Sequence, residues 1–118
     1  MKLMSLEFPL SKDVLTTVRL VTGGVCALVG YGLDEAEDCK VCVTESLLLL
    51  LHGGGKTARV VFEKEDALQV SLEAERGEDT ETSVEEEISV ALLSALVEDL
   101  KICKEEKLTR ISFGFGRS

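Results

Sequence analysis

The sequence predicts a two-layer α/β sandwich, a mostly antiparallel mixed sheet covered on one face by three helices, in the order β-α-α-β-β-α-β-β. Three observations predict it. Apolar residues recur at helical spacing in three separate segments. Five shorter runs are rich in strand formers, and four of them fall in pairs across short polar turns, as hairpins do. The chain has 118 residues with no visible linker or repeat, so one domain over 1–118 is large enough to bury a core without staples.

Residues 2–8 alternate weakly and end at Pro9, which suits a first strand at a sheet edge. Ser11 is placed to cap a helix carrying Val14, Leu15, Val18, Val21, Val25 and Leu28 at helical spacing. Gly23 and Gly24 weaken that helix and point to a close neighbour, while the stretch around Gly30 and Gly32 offers a left-handed stop. Asp34 is placed to cap the second helix, which runs to His52 and stops at three glycines, Gly53, Gly54 and Gly55. Residues 57–63 and 67–73 form a hairpin, and 74–83 an acidic loop. A third helix spans 84 to about 100, with Ile88, Ala91, Leu92, Ala95 and Leu96 as its apolar face. Residues 100–104 and 108–115 close the fold as a second hairpin.

The formal net charge of −9 repels phosphate backbones and disfavours nucleic-acid binding. Residues 41–51 are nearly apolar but too short to span a bilayer, so no membrane anchor is expected. Nothing at the N-terminus reads as an export signal, so the expected location is the cytoplasm. Cys26, Cys39, Cys42 and Cys103 are expected to be reduced, buried thiols. Cys39 and Cys42 make a CxxC inside a helix rather than at its start, and His52 is the single histidine, so no metal site is expected.

Gly55, Lys56 and Thr57 invite comparison with a phosphate-binding loop. The first glycine of that motif would fall at Leu50, and here the loop leads from a helix into a strand, leaving no helix N-terminus for a phosphate. Gly114-Phe-Gly116 is too short for a dinucleotide fingerprint. Asp38, Cys42, Glu45, Leu49 and His52 share one face of the second helix. A carboxylate buried there needs a partner or a ligand; otherwise Glu45 faces solvent or meets a base such as Arg19.

Several phrases, in this order, resemble the histidine-kinase-like (GHKL) ATPase fold, specifically the anti-sigma-factor serine kinases. They are LEFPLSKDVLTTVRLVTGGV, LDEAEDCKVCVTES, ARVVFEKEDALQVSLE and ALLSALVEDLKICKEEKLTRISFGF. The resemblance implies that Glu45 stands where that family has its general base. It also implies that the magnesium-holding asparagine is replaced by Leu49, whose side chain has no oxygen for a hard cation. The adenine-reading aspartate falls at Ala74, the next motif glycine at Arg76, and the phosphate-binding glycines at a run containing Glu86 and Glu87. The lid shrinks to about 74–87.

On this resemblance the chain is a degenerate regulatory or protein-interaction domain related to anti-sigma factors, with no cofactor, and the reading leans away from an enzyme. A divergent ATP- and magnesium-dependent serine kinase or ATPase using Glu45 is the alternative, and a structural subunit of a larger assembly is a third. The resemblance implies a protein partner such as a sigma factor or an antagonist, and pairing of the chain with itself.

Overall fold

The computed structural model describes residues 1–77 and 84–115. Five strands form one sheet in the order β1-β2-β3-β5-β4, and all four pairings are antiparallel. The strands are β1 (Lys2–Pro9), β2 (Thr57–Lys64), β3 (Leu68–Glu75), β4 (Glu98–Lys104) and β5 (Leu108–Phe115). The helices are α1 (Leu15–Leu28), α2 (Leu33–His52) and α3 (Val84–Leu96), with a short 3-10 turn, Lys12–Val14, before the first. The expected element order and the two-layer sandwich stand, with β1 at an edge.

Register explains where the core lies. Leu6, Val60, Leu72, Ile111 and Ile102 form one inward row across all five strands. The next row, Phe8, Ala58, Ala74, Thr109 and Lys104, is smaller and more polar toward β4. On the opposite face Glu7, Arg59, Glu73 and Arg110 alternate in charge from strand to strand, and Arg110 meets Glu73 at 3.1 Å. A face built of such pairs suits water, so the helices cover the other.

Helix α2 is the central pillar. Cys39, Cys42, Val43, Ser46, Leu47 and Leu50 are buried, and every residue from 41 to 51 is buried or half-buried. The leucine run is therefore core rather than membrane anchor, and among the described residues no helix is long and apolar enough to cross a membrane. Against α2 lies α1, through Val18, Thr22, Val25 and Cys26. The stem of Lys40 crosses Gly23, where a Cβ would stand 2.9 Å from its Cε. That is the close neighbour to which the glycine pair points.

Local details depart from expectation. Neither Ser11 nor Asp34 caps a helix. Ser11 precedes the 3-10 turn without a side-chain bond, and α2 starts from Gly32, whose N–H donates to the Glu35 carboxylate at 2.8 Å. Helix α3 ends at Leu96 instead of about 100 because Glu98 already pairs with Gly114 of β5. Asp99 turns the chain there at φ 53°, a left-handed conformation that aspartate tolerates.

The larger correction concerns the face of α3. Ile88, Ala91, Leu92, Ala95 and Leu96 are exposed, and the buried residues are Glu86, Ser89 and Leu93. Periodicity locates a stripe correctly, but the stripe lies on the side away from the core. Of the stretch 74–87, Ala74 and Glu75 end β3 and residues 84–87 open α3; the rest of the expected acidic loop beyond Gly77, and Gly116, lie outside the described residues.

Candidate functional site

The residues that sequence reasoning singled out gather at one end of the sandwich, where the C-terminal half of α2 faces α3 and the small row of the sheet. Ala58, Ala74 and Thr109 are short side chains in adjacent strands, so they leave a shallow floor beneath the helices. Beside it, toward β4, lies a cavity of about 50 Å³ whose lining includes Leu49, Gly53, Arg76, Glu86, Lys104 and Thr109. That is room for a few waters, far below a pocket that encloses a drug-sized ligand.

Each wall is held in place by the fold. Leu49 projects from α2, half-buried. Arg76 follows β3 and is pinned to the β4–β5 turn: its N–H donates to the Lys107 carbonyl at 2.9 Å and Nη1 to the Glu105 carbonyl at 3.0 Å. Glu86, in the first turn of α3, is 8% exposed and lies 3.8 Å from Lys104 Nζ. A carboxylate that buried requires such a partner. Ala74 is buried in β3 between Ala58 and Thr109, and Glu87 faces an adjoining open groove between α3 and β4.

Glu45 sits one turn before Leu49 on α2, half-buried. Its Oε1 accepts a 2.7 Å hydrogen bond from the Ser89 hydroxyl on α3. The partner is thus a neutral hydroxyl on the third helix, not the base on α1 that the sequence offered. Leu49, Arg76 and Glu86 line one cavity; Glu87 lines the adjoining groove, while Glu45 and Ala74 are in neither lining, Glu45 one turn before Leu49 on α2 and Ala74 paired with Thr109. Sequence reasoning missed Ser89, Lys104 and Thr109. Ser89 was readable in principle, three residues after Glu86 on the same helical face; the other two enter through strand register alone.

The glycine loop that closes α2 does different work from a phosphate cradle. The Glu75 carboxylate accepts from the backbone N–H groups of both Lys56 and Thr57, the latter at 2.8 Å. Those two amide bonds hold its carboxyl below the ordinary carboxylate range. Gly54 has φ +88°, and a Cβ there would stand 2.7 Å from the Gly77 Cα. Gly77 in turn donates its N–H to the Gly53 carbonyl at 2.9 Å. The glycines serve a backbone-to-backbone clasp between the end of α2 and the end of β3.

Cys26 on α1 and Cys39 and Cys42 on α2 are buried; Cys103 on β4 is exposed, contrary to expectation. All four are free thiols. The Cys39 thiol bonds to Cys26, and this with burial pushes Cys39 upward. Burial, with Asp38 and Glu45 nearby, pushes Cys42 up to about 12. Among the described residues no group of three or more His, Cys, Asp or Glu is arranged to hold a metal ion.

No family model matches the chain, and no curated protein matches it in sequence. Its fold is similar to a solved structure, the crystal structure of the RsbU and RsbW domains of Rv1364c from Mycobacterium tuberculosis. The TM-score is 0.69 at 16% sequence identity, over 94% of this chain and 32% of that one. The chain thus spans about a third of the length of the protein it matches, and the likeness is one of fold: three helices on a five-stranded antiparallel sheet.

Proposed function

We propose that this chain is a regulatory protein-interaction domain of the histidine-kinase-like fold, related to anti-sigma factors, that does not bind ATP in that fold's usual mode. The observation that carries the proposal is the cavity beside α2. Leu49 and the buried Glu86 stand in its wall. A leucine offers no ligand to magnesium, and the Lys104 ammonium in the same wall is already engaged by the Glu86 carboxylate at 3.8 Å. Ala74, buried between two strands, has no group with which to read an adenine amino group. The sequence phrases shared with anti-sigma-factor kinases, together with a fold similar to a structure that contains an RsbW domain, support a role exercised through a protein partner. By the same resemblance that partner is a sigma factor or an antagonist, and self-pairing is a second form of association that light scattering would read.

The rival is a divergent ATP-dependent serine kinase. Glu45 favours it to this extent: a half-buried carboxylate beside the cavity is a base already oriented by a hydroxyl. A melting experiment separates the two. A ligand in hundredfold excess over its Kd stabilises the folded state by about 2.7 kcal/mol, a shift of roughly 10 °C for a domain of this size. Millimolar ATP with magnesium is expected to leave the melting temperature unchanged. A clear rise in melting temperature transfers the assignment to the kinase.

A further inference from the structure

Helix α3 turns its apolar side to solvent. Val84, Ile88, Leu92 and Leu96 are 68, 55, 40 and 36% exposed. They succeed one another at intervals of four, with Ala91 and Ala95 beside them, so they form one stripe along the helix. The helix is held from the other side only, through Glu86, Ser89 and Leu93. Apolar stripes covering a few hundred Å² on a small domain are commonly binding surfaces. This one opens sideways into the groove between α3 and β4, of about 470 Å³, whose walls include Glu87, Val90, Ala91 and Ile102.

Charge decides what fits. Glu85 and Glu87 flank the stripe on either side in the first turn of α3, and Glu98 and Asp99 follow its far end; all four are exposed. The lysine of the groove, Lys104, lies 3.8 Å from Glu86. A second copy of the chain would set carboxylates against carboxylates in either direction. A parallel pair places Glu85 and Glu87 against themselves, and an antiparallel pair places them against Glu98 and Asp99. Like charges so placed oppose association.

We propose that the outer face of α3 is a docking surface for an amphipathic helix of another protein, apolar along one side and flanked by lysine or arginine. The occupant lays its apolar ridge along Ile88 and Leu92 and sets its cations over Glu85 and Glu87. The proposal deepens the protein-interaction reading and rests on it, but the nucleotide experiment tests the pocket separately. A domain that binds ATP and still binds such a helix would overturn the reading of the pocket and leave this surface standing.

The probe is a fluorescein-labelled synthetic helix matched to α3 in length, with leucines on one face and lysines at its flanks. A second helix carries glutamate in place of every lysine. Anisotropy titrations are expected to show the lysine helix binding at least about tenfold more tightly. Ile88→Ser with Leu92→Ser is expected to weaken binding about tenfold or more, with the fold checked by circular dichroism. Leu20→Ser with Leu28→Ser, at residues 71 and 68% exposed on α1, is expected to leave it unchanged. Glu85→Lys with Glu87→Lys is expected to reverse the preference between the two helices. Equal loss in the α1 and α3 variants, or no discrimination by charge, overturns the proposal. So does light scattering that shows a dimer dispersed by the α3 variant, since the face would then belong to a second copy.

Discussion

The Ser89 hydroxyl donates to the Glu45 carboxylate across 2.7 Å, and this bond joins α3 to α2 beside the cavity. It explains why α3 buries its polar side. Glu45 and Lys104 both lie under α3, and they are met by Ser89 and Glu86 respectively. A helix that must satisfy a carboxylate and an ammonium beneath it presents hydroxyl and carboxylate to them. Leu93 alone of its larger apolar residues is fully buried, and Ile88, Leu92 and Leu96 face outward.

The glycine clasp is tested by a contrast between two glycines. Gly54→Ala forces a Cβ to 2.7 Å from the Gly77 Cα at φ +88° and is expected to cost about 2 kcal/mol or more. At Gly24, inside α1, a Cβ would meet nothing within 4 Å. Gly24→Ala is expected to stabilise by about 0.5–1 kcal/mol. Urea denaturation of the two variants reads both signs.

Tyr31 is buried, and its hydroxyl is used twice. It accepts from the Leu68 N–H at 3.0 Å and donates to the Phe115 carbonyl at 2.6 Å. Tyr31→Phe keeps the ring against Phe115 but strands both backbone groups. A loss of about 1–3 kcal/mol is expected in chemical denaturation.

Thiol accessibility follows burial. In the native protein one thiol, Cys103, is expected to react promptly with a labelling reagent, and Cys26, Cys39 and Cys42 only on unfolding. Mass spectrometry of the labelled chain identifies which. Prompt labelling of Cys26 or Cys39 would show that the α1–α2 contact opens far more readily than its packing implies.

Glu75 supplies a pH dependence of known sign. Its carboxyl is depressed in the folded protein by the Lys56 and Thr57 amides. It therefore contributes stability above its unfolded value, and that contribution is lost as pH falls through the folded value. Glu75→Gln is expected to melt lower than the parent at about pH 7, and the gap is expected to narrow as pH falls below the ordinary glutamate value of about 4.3. A gap that persists in acid would mean that the carboxylate charge is not what holds the loop.

Much of the architecture is legible in the sequence because its signals are local and redundant. The leucines of α2 cover every face of their turns, so no placement but the interior suits them. Both hairpins are marked by alternation on each side of a polar turn. The start of α2 is harder to read because Glu35 serves Gly32 through its side chain, which removes the need for Asp34. The face of α3 misleads because periodicity reports where apolar residues lie, and not what lies opposite them. At the site, Leu49 and Arg76 can be named from the family resemblance, but Thr109 and Lys104 come beside them only through the pairings of β5 with β3 and β4.

The strand order carries a consequence for synthesis. β5 lies between β3 and β4, so the inner edge of β3 stays unpaired until residues 108–115 have been made. Until then the β2–β3 hairpin offers the ribosome-bound chain an open ladder backed by Val70 and Leu72, a template for pairing with a neighbouring nascent chain. Lys101 and Lys104 then occupy the outermost strand, where their charge discourages the same event in the finished protein. The period of greatest risk therefore falls before residues 108–115 emerge, and yield at high expression is expected to depend on how quickly β5 leaves the exit tunnel.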